Sequence, residues 1–276
     1  MKYTFLDFFY KIRFRIICLL GLLPDANDYI KTTPEGYFNK INADAQKLFC
    51  NLGYLPWDID LINAGWRSTW LVDMAFFRIG FPWSHDIDIC NIDLDSNIGL
   101  LLKLDKATKE TVLYSNFAFQ FPIYRTLAKM PGIPGTWSAI WGYSDGGYNK
   151  SGLPENDFEH CGHWKNAVTC TFHWGWFYKK GLKKSTTHNK ISAPGFRPTE
   201  KYYCYELVYG PYQNKWKING VTVKKRARGI STDEIHLIFS IGTGDYCKGE
   251  LKEEDLPVYL SIKGFEVFLR KQDAKD

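Results

Sequence analysis

Apolar and polar positions change their rhythm near residue 85 of this chain. Beyond that point, short apolar or alternating runs recur between Gly, Pro and Asn, at 86–92, 99–104, 111–123, 167–172, 202–209, 215–218, 221–223, 234–241 and 265–270. Runs of this length and alternation predict β-strands. Asn219-Gly220 sits between two of them and predicts a two-residue hairpin, because both turn residues must take positive φ. No long stretch of helical period follows residue 85, which excludes parallel βαβ units. Many short antiparallel strands predict an all-β sandwich or barrel.

Ahead of residue 85 the pattern differs. Residues 39–50 place Ile41, Ala45, Leu48 and Phe49 on one face of a short helix, and Pro24, Pro34 and Pro56 divide the region. An apolar run at 16–23 follows Lys11, Arg13 and Arg15. It is too short to span a bilayer, and no small-residue cleavage site follows it. It reads as a buried or partner-facing segment. The expected organisation is an irregular, partly helical extension over 1–82 and a β-domain over 83–276.

Composition sharpens this picture. A chain of 276 residues with 45% hydrophobic and 24% charged residues suits one large domain with an extension. Aromatic residues make up 17% of it. Most suit a pleated surface; those beside acidic residues also suit a cleft wall against which the C–H face of a sugar can pack. The net charge of +5 is modest, and its densest run, Lys224-Lys225-Arg226-Ala227-Arg228, reads as a solvated loop after the hairpin. Without a basic face or arm, no nucleic-acid partner is expected. Seven scattered cysteines with no C-x-x-C pair indicate no zinc site. Spacing admits a Cys161–Cys170 disulfide among other pairings and does not decide between them.

The chemistry concentrates in Leu153-Pro154-Glu155-Asn156-Asp157-Phe158-Glu159-His160. Alternation along a strand puts Glu155, Asp157 and Glu159 on one face and Asn156 and Phe158 on the other. Three neighbouring carboxylates repel each other, a cost that a site can use and a plain surface rarely keeps. The outer two Cα atoms lie roughly 13 Å apart on an extended strand. With the side chains leaning inward, the carboxyls come within roughly 5–7 Å, nearer the spacing of retaining than of inverting glycosidases. Asp86 and Asp88 alternate in the same manner but lack a third acid, and they read as an early strand. His85, His160 and His163 read as structural, with no metal site.

The acidic strand and its surroundings resemble glycoside hydrolase family 16. Phe121–Arg125 and Lys129–Trp141 are similar to the family's strand and tryptophan-bearing segment before the acids, and Val168–Gly175 to its histidine-bearing strand. Tyr205–Tyr209 with Lys215–Val223 is similar to its paired strands, and Ile235–Gly244 and Phe265–Arg270 to its last two. The resemblance implies a concanavalin A-like jelly-roll over about 90–272 and a retaining, endo-acting glycosidase with a polysaccharide substrate. Glu155 would then be the nucleophile, Glu159 the general acid/base and Asp157 the assisting carboxylate. Trp137 and Trp141 would form the sugar platform, with His173 a polar contact beside it. Four residues from first to last acid is the unbulged form, similar to mixed-linkage glucanases and xyloglucan-acting enzymes. A transglycosylase, or a binding module that has lost catalysis, is the alternative on the same fold. The resemblance further implies a monomer without a membrane span, acting outside the cell or on a particle. It allows a structural calcium ion and assigns it no residues. Two positions depart from the pattern. Asn156 stands where the family has an apolar core residue, and Tyr209 where it has a cleft Trp.

Overall fold

A computed structural model describes residues 5–26, 77–79, 92–95, 99–105, 110–144, 154–178, 181–244 and 247–268. The helix expected at 39–50 and the alternating acids Asp86 and Asp88 lie outside these residues. In chain order the elements are α1 (Phe5–Leu19), β1 (Phe77–Ile79), β2 (Ile92–Asp95), β3 (Gly99–Leu104), β4 (Glu110–Gln120), β5 (Ile123–Lys129), β6 (Thr136–Tyr143) and β7 (Glu155–Cys161). There follow β8 (Ala167–Tyr178), β9 (Gly181–Ser192), β10 (Tyr203–Val208), β11 (Asn214–Ile218), β12 (Val221–Arg226), β13 (Glu234–Thr243) and β14 (Val258–Phe268).

These strands form two antiparallel sheets, ordered β1-β4-β13-β6-β7-β8-β9 and β12-β11-β10-β5-β14-β3-β2. Late strands β13 and β14 insert between early ones, the crossed connectivity of a jelly-roll. Strand β1 pairs with β4 and so joins the first sheet ahead of residue 83. Alternation explains the layering. Ile235, Leu237, Phe239 and Ile241 of β13 turn inward to meet Ile140, Phe158, Phe172, Trp216 and Leu260 in the core. The residues between them turn to the outer face. The expected hairpin forms, with Asn219 at φ 45° and Gly220 at φ 78°. The expected single strand over 111–123 is two, because Phe121 takes φ 53° and the chain turns into β5.

The basic run after the hairpin is no solvated loop. It begins inside β12, where the register steps from Lys217–Thr222 to Trp216–Lys224 and leaves Val223 unopposed. This bulge turns Lys224 to the interior side of Trp216. Lys224 is fully buried. Its Nζ donates to the Cys170 and Thr187 carbonyls at 2.7 and 3.1 Å and lies 4.5 Å from the Trp216 ring centroid. Burial pulls this ammonium down to about 7. Arg226 is also engaged, in a two-pronged pair with the buried Asp7 of α1 at 2.5 and 2.7 Å.

The cysteine pairing differs as well. Cys161 bonds Cys247, and Cys170 is a buried free thiol, so Cys161–Cys170 does not form. Cys170 faces the core from β8 whereas Cys161 faces outward from β7, so their sulfurs lie on opposite sides of one sheet. Helix α1 packs against β12 and β9, the neighbouring end strands of the two sheets, and closes the side of the sandwich there. Its Phe14 meets Phe196 edge-on, with ring centroids 5.4 Å apart.

Candidate active site

Strand β7 is the middle of the site, held between β6 and β8. Across β6 the register pairs Glu155 with Tyr143, Asp157 with Trp141, Glu159 with Ala139 and Cys161 with Trp137. Across β8 it pairs Glu155 with His173, Asp157 with Thr171 and Glu159 with Thr169. Directly opposed residues share a face. Phe158 lies in the core, so its neighbours Glu155, Asp157 and Glu159 stand together on the outer face, with Trp137, Trp141 and His173 beside them. The structure thus brings all six sequence-selected residues to one surface. Trp141 is mostly buried, packed edge-on to Tyr143 at 5.7 Å and donating its indole N–H to Ser240 Oγ at 3.2 Å. Trp137 is the more accessible of the two.

Burial and mutual repulsion set the charges. Asp157 is almost wholly buried, and neither carboxylate oxygen has a hydrogen-bond partner among the described residues. Burial first, then the charges of Glu155 and Glu159, push its carboxyl well above the usual range. Burial and the Glu159 charge raise Glu155 to about 8, with Lys184 opposing. This side chain is 26% exposed and therefore within reach of a ligand. The row holds a proton at neutral pH, and the most buried position, Asp157, is where it sits at least cost. Glu155, at about 8, is ionised only in part at neutral pH.

The histidine is neutral. Burial and the neighbouring His188 lower His173 to about 4. Its Nδ1 lies 2.8 Å from Thr186 Oγ1, and its Nε2 is 3.7 Å from both Glu155 Oε1 and Asp157 Oδ2. One ligand atom from each of Glu155, Asp157 and His173 falls within 4.8 Å of the others. Two carboxyls that favour their protonated forms and an imidazole do not fit calcium, which takes six to eight oxygen ligands.

Several contributors were not singled out from the sequence. Thr171 donates its hydroxyl to Glu159 Oε2. The same hydroxyl lies 3.1 Å from Nδ1 of His188. From the opposite sheet, Trp216 Nε1 donates to the Asp157 carbonyl at 3.0 Å and ties the acid strand to the core. Thr171 could have been found by alternation, two residues before His173. Trp216 and His188 depend on pairings that only the fold supplies.

The two departures meet in the core. Asn156 faces inward and lies beside the Tyr209 hydroxyl. Tyr209 follows β10, a strand of the second sheet, and is packed in the core. It is therefore no replacement for a cleft aromatic.

Two packed antiparallel sheets bearing three carboxyls and two indoles on one outer face define a jelly-roll sandwich of the glycoside hydrolase type. The family model for glycosyl hydrolases family 16 matches residues 83–237, more than half of the chain, and the chain belongs to that family. Among solved structures it is similar to a Bacillus licheniformis β-glucanase, with 14% identity, a TM-score of 0.58 and coverage of 72% of this chain and 94% of that one. It is also similar to the laminarinase from Rhodothermus marinus, with 19% identity, a TM-score of 0.54 and coverage of 67% and 82%. The apo Crh5 transglycosylase shares 14% identity at a TM-score of 0.53, over 72% of this chain and 86% of that one. At these identities the likeness concerns the fold alone. Compared with curated protein sequences, the chain has no match.

Proposed function

We propose that the protein is a retaining, endo-acting glycosidase that cleaves a polysaccharide, with β-glucan the first substrate to try. The observation that carries the reading is the row Glu155, Asp157 and Glu159 on the outer face of β7, with Trp137 and Trp141 on the adjacent strand. Glu155 in its ionised form attacks the anomeric carbon, and Glu159, carrying a proton in addition to the one on Asp157, delivers it to the leaving oxygen. Ester formation neutralises Glu155 and leaves the negative charge on Glu159. Glu159 then takes a proton from water as the water oxygen bonds the anomeric carbon and the ester bond to Glu155 breaks, releasing the sugar. Asp157 holds the proton that keeps three adjacent carboxyls from ionising together. Trp137, half-buried, offers the more accessible indole surface for a sugar ring, on the same strand as the packed Trp141.

Glu155→Ala should abolish turnover of the susceptible polysaccharide. Added azide should restore release of a product with inverted anomeric configuration, read by NMR. Glu159→Ala should slow cleavage of unactivated polysaccharide by about 10²–10⁴-fold, while sparing the first step for substrates with good leaving groups. Wild-type activity in both variants on a substrate that the parent cuts would overturn the assignment. The same assay with an oligosaccharide acceptor separates hydrolysis from transfer, since only the second half-reaction differs.

A further inference from the structure

Among the described residues, helix α1 docks by one face and leaves the opposite one uncovered. Asp7, Phe14 and Cys18 are buried against the sandwich. On the other side Phe8, Phe9, Ile12, Ile16, Leu19 and Leu20 are exposed, Phe8 by 60% and Leu19 by 68%. At 3.6 residues per turn, Phe8, Phe9, Ile12, Ile16 and Leu19 form one strip along the helix, with Leu20 at its end. Arg13 flanks the strip on one side and Arg15 on the other, and both are exposed. The helix has a single acid, Asp7, and that acid is enclosed by Arg226. The outward side therefore carries apolar bulk and positive charge only.

Soluble monomers rarely leave such a continuous apolar strip in water. The charge pattern selects what covers it. Arginines along both borders of an apolar strip match a layer whose interior is hydrocarbon and whose surface is negative. No helix among the described residues is long and apolar enough to cross a membrane, so the geometry is that of a helix lying in the interface. We propose that the outer face of α1 seats this protein on an anionic phospholipid surface. The aromatic and aliphatic side chains enter the acyl boundary, while Arg13 and Arg15 stay at the level of the phosphates. The Asp7–Arg226 pair and the Phe14–Phe196 contact make the anchor rigid with the sandwich. The helix packs on β9 and β12 at the side of the sandwich, and the acids stand on β7, two strands in from β9.

The test is co-sedimentation of the full chain with phosphatidylcholine vesicles, with and without phosphatidylserine. Binding is expected on the serine-lipid vesicles and should weaken as salt is raised. The double variant Phe9→Ser/Ile16→Ser should partition about tenfold or more weakly. Arg13→Glu/Arg15→Glu should lose the preference for phosphatidylserine. Thermal midpoints of both variants should stay at the wild-type value, since the four positions are exposed. Wild-type protein left in the supernatant of phosphatidylserine vesicles would overturn the proposal, as would equal sedimentation of the double serine variant. A wild-type dimer that the serine variant dissociates, without vesicle binding, would assign the strip to a second copy and overturn it too.

Discussion

Glu155 shows how one side chain couples stability to chemistry. Its carboxyl moves from an ordinary 4.5 to about 8 on folding, through burial and then the charge of Glu159. A raised folded-state value means that the native protein holds this proton more tightly than the unfolded chain. The associated stability is complete below about 4.5 and is lost as pH rises through about 8. Glu155→Gln removes the titration while keeping the shape. Its thermal midpoint should match or exceed that of the wild type, by a margin that widens as pH climbs from 5 to 9 by roughly the linkage of that one proton. A constant margin across that range would show that Glu155 is not perturbed. His173 shifts the opposite way, to about 4, and so stands beside the acids as a neutral ring. The acids were legible at this scale because alternation alone places 155, 157 and 159 together. Their inequality was not, because it depends on how deeply each is buried.

Elements were legible where one face is apolar and the other polar, and hidden where that contrast fails. Strand β13 has Ile235, Leu237, Phe239 and Ile241 at alternate positions and matches its expected bounds closely. Strand β9 was missed because its inward side carries Ser185, Thr187 and Asn189. The buried Lys224 ammonium meets the same strand at the Thr187 backbone carbonyl. Helix α1 was missed for the reverse reason. Its buried and exposed faces are both apolar, so Phe5–Leu19 shows little helical contrast. Packing between elements adds a constraint that no single run reveals. A Cβ on Gly142 of β6 would come within 2.1 Å of the Tyr209 hydroxyl and 2.9 Å of Ile235 Cγ2. Gly142→Ala should therefore cost about 1–3 kcal/mol by overpacking, measured by urea unfolding. Tyr209→Phe in the same chain should recover part of that loss by removing the hydroxyl. No recovery would mean that the aromatic ring, whose Cζ would lie at 2.8 Å, is the main obstacle.

At the scale of the molecule, an all-β sandwich or barrel could be read from the strand runs and the hairpin, and the jelly-roll from the family resemblance, whereas the ties between distant parts could not. Cysteine spacing left several pairings open. The fold selects Cys161–Cys247 because β7 ends beside the segment that follows β13, across β6. That bond spans 86 residues of sequence and closes a loop containing β8 to β13. A loop of this length restricts the unfolded chain strongly, and removing such a bond typically costs about 2–4 kcal/mol. For a domain of this size, the loss corresponds to a fall in thermal midpoint of roughly 5–15 °C. Cys161 also opposes Trp137 on the outer face, so the bond braces the end of the acid strand beside the accessible indole. Two consequences can be separated. Dithiothreitol should lower the thermal midpoint of the wild type and leave a Cys161→Ser/Cys247→Ser variant unchanged at its already lowered value. Below both transitions, reduced protein should keep kcat and raise KM for long polysaccharides, because the loosened end of β7 carries the Trp137 contact and not the acid row. Equal midpoints with and without reductant would show that the bond contributes nothing to stability. A fall in kcat with KM unchanged would place its influence on the carboxyls instead.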